Sequence, residues 1–337
     1  MVIGYRTVPL LSRTALARVG VPALAVCLAA SAVVSIVALL GGFGGPARSP
    51  AAGSWAVPSA AGPAGSGSAV PGSAAPSATA SPSPSAGASH PAPAPPPPAS
   101  CGDSAAPAGW TLMWDPQASR DGLGAFEGVE DDRAGSDPGV KHIYVQGNDY
   151  RFDMPMNERD TSTDRQRNEV KGMHAGGQNL TLGLGETWRL DWSLYIPDSL
   201  DATNRFTHIM QLKMPGDGSA PILTMDLSVQ GGVPKIQLKI FDGGTVIGST
   251  NLAPLQNSWL CTSVTFTIGD APNGSVSWLL SAGGRTLVNS TKTGVDTWLQ
   301  DRVRPKWGIY RSVQDTSGSL HPCYLLVSNM KAFKKVS

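Results

Sequence analysis

The chain has 337 residues, and its composition separates the first hundred residues from the rest. Residues 1–100 contain no Asp, Glu or Lys and hold 16 of the 28 prolines, which excludes an ordinary folded domain there. Four of the 26 basic residues also lie in this part, so the remainder carries 22 basic and 25 acidic residues, a formal charge of −3. This charge excludes a globally basic nucleic-acid-binding domain.

The N-terminus has the features of an export signal. Arg6, Arg13 and Arg18 precede an uncharged, mostly apolar stretch of 27 residues from Val19 to Gly45. This stretch is long enough to cross a bilayer, and no small-residue cleavage site follows it cleanly, so a cleaved signal peptide and an uncleaved anchor both remain open for residues 1–45. In either case we expect the C-terminal domain outside the cell, with membrane contact only through the N-terminal segment.

A linker is predicted next, followed by one domain. Residues 46–107 are rich in Ala, Pro, Ser and Gly and include the run Pro95–Pro98, which favours a disordered linker that is part coil and part polyproline spacer. Residues 108–337 then form a single domain, which is large enough to bury a core without bound metals. We expect this domain to be a monomer.

The residue pattern of the domain is typical of an all-β protein. In Thr187–Tyr195 the apolar side chains alternate with polar ones, and the same alternation recurs around Leu223, Ile236, Val264 and Val276. Tight-turn signals lie at Asn273-Gly274, Gly243-Gly244 and Gly283-Gly284. Because no stretch with helical periodicity is longer than three turns, we predict a two-sheet β-sandwich of the jelly-roll kind with twelve or more strands.

Three predicted strands carry unusual polar faces. Arg167, Glu169 and Lys171 share one face of the first strand, and Gln211 and Lys213 share one face of the second. In the third strand, Lys306–Ser312, the side chains of Lys306 and Tyr310 lie on one face together with Gly308, whereas Trp307 points inward. A glycine in the middle of a strand is one indication of close approach by a ligand.

These three segments together resemble polysaccharide lyases of the alginate-lyase-like, glucuronan-lyase-like and heparin-lyase-I-like superfamily. Arg167–Lys171 is similar to the R-[ST]-E-[LV]-R strand of that family, Gln211–Lys213 to its Q-[IV]-H strand, and Lys306–Tyr310 to its K-x-G-x-Y strand. The resemblance covers about residues 110–334. It implies a concanavalin A-like β-jelly roll and eliminative cleavage of a uronic-acid-containing polysaccharide such as glucuronan, an anionic substrate.

The residue types suit that chemistry. Removing the proton next to a carboxylate builds negative charge on the carboxylate, and Arg167, Gln211 and Lys213 are groups that stabilise such charge. Tyr310 is our candidate for the acid that protonates the leaving oxygen. We assign substrate contact to a wider set: Arg167, Glu169, Lys171, Gln211, Lys213, Lys306 and, from its outward position on another strand, Arg189. No cofactor is expected, because these groups are not metal ligands.

The catalytic base is the point at which the chain departs from the family pattern. Where the alginate branch has a histidine two residues after the glutamine, this chain has Lys213, which would need a much lowered pKa to act as a base. We predict His174 in this role, with His142 and His208 as alternatives. The alternation of its strand places His208 on the opposite face from Gln211.

Other functions remain open or are disfavoured. A non-catalytic carbohydrate-binding module of the cell envelope, or an envelope protein with a degenerate lyase fold, would use the same sandwich. Most tryptophans, however, fall on the apolar face of their strands rather than on a binding platform. We interpret the acidic run Glu127–Asp132 as a solvated loop, with a calcium site as the alternative.

Three cysteines remain in the exported part, so one disulfide and one free thiol are expected. Cys261 and Cys323 both lie near strand starts inside the sandwich, whereas Cys101 lies at the border with the linker. We therefore predict a Cys261–Cys323 bond, with Cys101–Cys323 as the next alternative.

Overall fold

The computed structural model describes residues 96–97, 101, 105–216 and 220–336. The predicted signal or anchor segment, and almost all of the predicted linker, lie outside the described residues. Across the described ranges, no helix is long and apolar enough to span a membrane. Within these ranges the regular elements are seventeen strands and one short helix, together with three short 3₁₀ turns.

The elements follow the chain in this order. They are β1 (Trp110–Trp114), α1 (Ala118–Asp121), β2 (Gly128–Glu130), β3 (Ile143–Gln146), β4 (Asp149–Met154), β5 (Arg165–Lys171), β6 (His174–Ala175), β7 (Gln178–Asn179), β8 (Thr187–Tyr195), β9 (Thr207–Lys213), β10 (Pro221–Gln230), β11 (Val233–Ile240), β12 (Val246–Asn251), β13 (Trp259–Thr267), β14 (Gly274–Ala282), β15 (Arg285–Val295), β16 (Arg304–Ser312) and β17 (Cys323–Lys335).

Two antiparallel sheets form the sandwich, which confirms the predicted all-β jelly-roll architecture. One sheet has the strand order β15-β14-β13-β8-β17-β4-β3, with β1 paired to β17, and the other has the order β12-β11-β10-β9-β16-β5-β2. The strands β6 and β7 pair only with each other. The predicted turn at Gly283-Gly284 joins β14 to β15, and both glycines adopt the positive φ angles that tight hairpin turns require.

The core lies between the two sheets and is built from the apolar rows predicted by the alternation. Trp188, Trp192, Trp278 and Trp307 are all buried in it, and Trp307 stacks on Trp114 at a ring distance of 5.8 Å. Burial of aromatic side chains of this size contributes much of the driving force for folding. These tryptophans are therefore unavailable as a sugar-binding platform on the surface.

The predicted Cys261–Cys323 disulfide is wrong: the bond joins Cys101 to Cys261, and Cys323 is a buried free thiol. Sheet geometry explains the error. Cys261 pairs with Ser193 on β8, which pairs with Ser328 on β17, so Cys323 lies two strands away and five residues further along. That separation far exceeds the 7 Å between Cα atoms that a disulfide spans.

Candidate active site

The three polar segments singled out in the sequence lie side by side in the seven-stranded sheet. β16 is in the middle, with β9 on one side and β5 on the other. Lys306 lies opposite Gln211 on β9 and opposite Lys171 on β5, and Tyr310 lies opposite Arg167. Their side chains line a cleft of about 920 Å³ on the outer face of this sheet.

A buried ion-pair network forms the floor of this cleft. The carboxylate of Glu169, which is fully buried, accepts hydrogen bonds from Gln211 Nε2 at 2.5 Å and from Arg167 Nη1 at 2.7 Å, and its Oε2 lies 2.7 Å from Lys306 Nζ. Lys306 also contacts Glu130. Because every one of these charges has an oppositely charged or polar partner, the network holds the strands in one arrangement.

Glu130 belongs to this network and not to a solvated loop, which corrects the reading of the acidic run. Burial alone would raise the pKa of the Glu130 carboxyl, but the charge of Lys306 and the charges of Arg167 and Lys171 lower it to about 2. Two other carboxylates of the run also face basic groups. Glu127 binds Arg302 and Arg304, and Asp131 binds His142.

Tyr310 lies at the centre of the cleft. Its hydroxyl oxygen accepts a hydrogen bond from Arg165 Nη1 at 2.7 Å, and the guanidinium of Arg167 lies 3.7 Å from the centre of its ring. Phe206 packs against the ring at 4.9 Å. A negative charge that developed on this oxygen during proton transfer would therefore face two guanidinium groups.

His208 lies beside Tyr310 at a ring distance of 5.8 Å and is fixed by Asp226. The His208 Nδ1 and Asp226 Oδ1 atoms are 2.5 Å apart, and Lys239 Nζ lies 2.8 Å from Asp226 Oδ2. Burial alone would raise the pKa of Asp226, but the hydrogen bond with His208 and the charge of Lys239 lower it overall. An ionised Asp226 accepts a hydrogen bond from Nδ1–H of His208, so Nε2 is the ring nitrogen that is left to accept a proton.

A β-bulge explains why the alternation placed His208 on the wrong face. Met225 and Asp226 are consecutive on β10, yet they pair with Met210 and His208 on β9, so Ile209 is one extra residue in β9. Ile209 and Met210 both point into the core, and the side chains on either side of them both reach the cleft. An extra residue of this kind reverses the facing of every side chain before it.

The predicted base His174, its alternative His142 and the predicted substrate contact Arg189 all lie elsewhere. His174, on β6, bonds to Asn179 at 2.9 Å and lines a second, smaller cavity of about 380 Å³. His142 is buried between Asp131 and Asp137. Arg189 lies on β8, in the eight-stranded sheet, where it pairs with Asp191. None of these three side chains lines the cleft.

The remaining predicted substrate contacts line the cleft, except Glu169, which is fully buried and does not reach it. Lys213 is half-buried at its edge, and burial, followed by the charges of Lys306 and Arg167, lowers its pKa. Lys171 is half-buried and 3.2 Å from Glu130. Gly308 has a different role from the predicted one: with φ at 134°, an added Cβ would lie 2.2 Å from the carbonyl oxygen of Asn168. The glycine allows close approach of β5, not of a ligand.

Glu158 supports the cleft from behind and gives a pH-dependent prediction. It is fully buried, and its Oε2 accepts a hydrogen bond from the backbone amide of Arg167 at 3.1 Å. Burial raises the pKa of its carboxyl to about 8, despite this hydrogen bond, and the charges of Asp160 and Asp132 add to the rise. The folded protein therefore holds this proton up to a higher pH than the unfolded chain does.

We expect the free energy of unfolding to fall as the pH rises from about 4.5 to about 8, because the unfolded chain ionises Glu158 first. Glu158→Gln keeps an acceptor for the Arg167 amide and should remove this fall. Since a tenfold difference in proton affinity corresponds to about 1.4 kcal/mol, the effect at pH 8 is on the order of a few kcal/mol. Urea unfolding at pH 5 and pH 8 measures the free energy of unfolding of both proteins. The same fall between the two pH values in the variant and in the wild type would contradict the assignment.

Comparisons with known proteins concern the fold. No protein-family model matches the chain, and no curated protein matches it. The domain is similar in fold to an alginate lyase from Pseudomonas aeruginosa, at 16% identity over 62% of this chain and 98% of that one, with a TM-score of 0.42. It is also similar to an endo-β-1,4-glucuronan lyase from Trichoderma reesei, at 12% identity over 66% of this chain and 95% of that one, with a TM-score of 0.43.

A glycoside hydrolase is among the similar structures as well. An endo-1,3-β-glucanase from Streptomyces sioyaensis matches at 13% identity over 69% of this chain and 99% of that one, with a TM-score of 0.42. At TM-scores below 0.5 these likenesses carry no argument about function. The chemistry has to be argued from the side chains of the cleft.

Proposed function

We propose that the domain cleaves a uronic-acid-containing polysaccharide by β-elimination. The observation that carries this proposal is the pair of His208, held by Asp226, and Tyr310, held by Arg165, side by side on the floor of a cleft lined by basic side chains. A proton acceptor and a proton donor in such a setting are the groups that an elimination needs.

The proposed reaction assigns one step to each group. His208 Nε2 takes the proton from the carbon next to the uronate carboxylate, and the electron pair forms the new carbon–carbon double bond. The bond from the neighbouring carbon to the glycosidic oxygen breaks at the same time, and the Tyr310 hydroxyl supplies the proton to that leaving oxygen. No water is consumed, so the product carries an unsaturated sugar at its new non-reducing end.

Basic side chains would hold the substrate during these steps. Arg165 on β5 and Lys213 on β9 line the cleft on either side of β16, and Gln211 lines it from β9 as well. The positive charges of Arg165 and Lys213 would stabilise the negative charge that builds up on the uronate carboxylate in the transition state. Arg167 bonds to Asp160 and Glu169, so we assign it a supporting role beneath Tyr310.

A non-catalytic binding module is the competing function. Such modules hold sugars mainly on exposed aromatic rings, whereas Trp188, Trp192, Trp278 and Trp307 are buried in the core here. The cleft instead presents an acid–base pair, which binding alone does not require.

The test is incubation of the purified domain with a panel of polysaccharides that includes polyglucuronate, alginate, hyaluronan and an uncharged glucan. We expect ultraviolet absorbance from unsaturated ends with at least one polyuronate, and none with the glucan. His208→Gln is the matched control and should bind the same substrate without forming the product. Reducing sugars without unsaturation would indicate hydrolysis, and binding without any product would indicate a binding module.

A further inference from the structure

A second cluster of aromatic side chains lies on the opposite side of the molecule from the cleft. Tyr195 at the end of β8, Trp259 at the start of β13, and Tyr324 and Leu326 on β17 form a cluster separate from the core, on the outer face of the eight-stranded sheet. We call these four residues the outer aromatic patch. Trp259 pairs with Tyr195 across the strands, and Tyr195 pairs with Leu326.

The rings of the patch pack against one another. The ring centres of Tyr195 and Trp259 are 5.5 Å apart, and Tyr195 stacks on Tyr324 at 6.3 Å. The guanidinium of Arg151 lies 4.0 Å from the centre of the Tyr324 ring. Although these positions face outward from the sheet, the three rings are only 6–8% exposed. Outward-facing rings with so little exposure indicate that something more than their own sheet covers them.

The disulfide brings the end of the linker to this patch. Cys261 is two residues beyond Trp259 on β13 and points to the same side of the sheet. Its partner Cys101 is buried, with its Cα atom 5.1 Å from that of Cys261. Two residues separate the run Pro95–Pro98 from Cys101, and of its two described prolines Pro97 is half-buried and Pro96 is exposed.

The length of this run matches the width of the patch. A polyproline II segment rises about 3.1 Å per residue, so the chain from Cys101 back to Pro95 spans about 19 Å. The patch extends over three adjacent strands, from β13 across β8 to β17, which is two strand spacings of about 4.8 Å each plus two residues along the strands. The proline run can therefore lie across Trp259, Tyr195 and Tyr324 while Cys101 stays bonded to Cys261.

We propose that the outer aromatic patch binds the proline run Pro95–Pro98 of the same chain. Aromatic-lined surfaces bind polyproline II segments, because a proline segment loses little conformational entropy when it docks. The Cys101–Cys261 bond keeps the run close to the patch at a high effective concentration. This contact is independent of the proposed catalytic function, and it fixes where the linker leaves the domain, on the side away from the cleft.

Hydroxyl-radical footprinting of the full chain, read by mass spectrometry at single residues, tests this contact. The test variant replaces the four prolines of the run with a Gly-Ser-Gly-Ser sequence. We expect the modification rates of Tyr195, Trp259 and Tyr324 to rise about three- to tenfold in this variant, because the docked prolines cover these rings in the wild-type chain. Phe241, which is 41% exposed on the rim of the cleft, should be modified at the same rate in both proteins.

The matched control replaces four prolines further up the linker, Pro58, Pro63, Pro71 and Pro76, with serine, and should leave the three rings protected. Unchanged protection in the test variant would overturn the proposal, and so would an equal rise in the control. Protection of the wild-type chain that disappears on dilution would also overturn it, because a second copy of the chain would then be the cover.

Discussion

Replacing Tyr310 with phenylalanine is expected to lower turnover by about two to four orders of magnitude, the contribution typical of a positioned acid or base. The substitution removes only the hydroxyl group that accepts the hydrogen bond from Arg165. The ring keeps its contacts with Arg167 and Phe206, so the fold and the affinity for substrate should change little. Rates of unsaturated-end formation, with substrate binding measured separately by calorimetry, give the two quantities.

A second tyrosine provides the matched control for this experiment. Tyr144, on β3 of the other sheet, donates a hydrogen bond to Asp153 at 2.8 Å. The substitution Tyr144→Phe removes this hydrogen bond and should leave turnover unchanged. Full activity in Tyr310→Phe would remove Tyr310 from the mechanism. Equal losses of turnover in both variants would mean that the assay reports stability and not chemistry.

Lys306→Met is expected to lower the free energy of unfolding by about 3–5 kcal/mol, the cost typical of removing one partner from a buried ion pair. Lys306 is 2% exposed, and its ammonium group lies between the carboxylates of Glu130 and Glu169. Without it, the buried Glu169 would keep only Arg167 as a cationic partner among the described residues, and Glu130 would lose its nearest cation. Urea unfolding at neutral pH measures the loss.

Lys171→Met is the matched control for this prediction. Lys171 contacts the same Glu130 at 3.2 Å but is half-buried at the edge of the cleft, where an ion pair contributes about 1 kcal/mol or less. Similar losses in the free energy of unfolding in the two variants would show that the stability contributed by an ion pair does not depend on how deeply it is buried. A loss below 1 kcal/mol in Lys306→Met would show that the floor of the cleft does not depend on this charge.

The features that could be predicted from the sequence are those that follow from strand alternation. The two-residue period identified β8, β10 and β13 and the inward tryptophans, and it placed Lys306 and Tyr310 together on one face. The resemblance to polysaccharide lyases grouped the three polar strands, and the structure places these strands side by side in one sheet. Arg167, Gln211, Lys213 and Tyr310 do share a cleft.

The features that could not be predicted depend on irregular pairing or on distant partners. Strict alternation disfavours His208 as the base, but the bulge at Ile209 interrupts that alternation, and nothing in the residues of β9 marks the bulge. His174 follows a charged strand closely in the chain but turns away with β6. The disulfide partner of Cys261 depends on the order of strands in the sheet, which the spacing of three cysteines does not contain.

The extra residue in β9 also changes what kind of sequence change the cleft can tolerate. Ile209 has no contact with substrate in the proposed reaction, and its exchange for another aliphatic side chain would alter packing alone. Deleting it would restore even pairing with β10 and bring His208 next to Met210, where ordinary alternation still points the imidazole at the cleft. Regular pairing with Ile209 retained would instead turn His208 towards the core. The facing of the proposed base is thus a matter of counting residues along the strand, and the extra residue is one that β9 can lose without removing the base from the cleft.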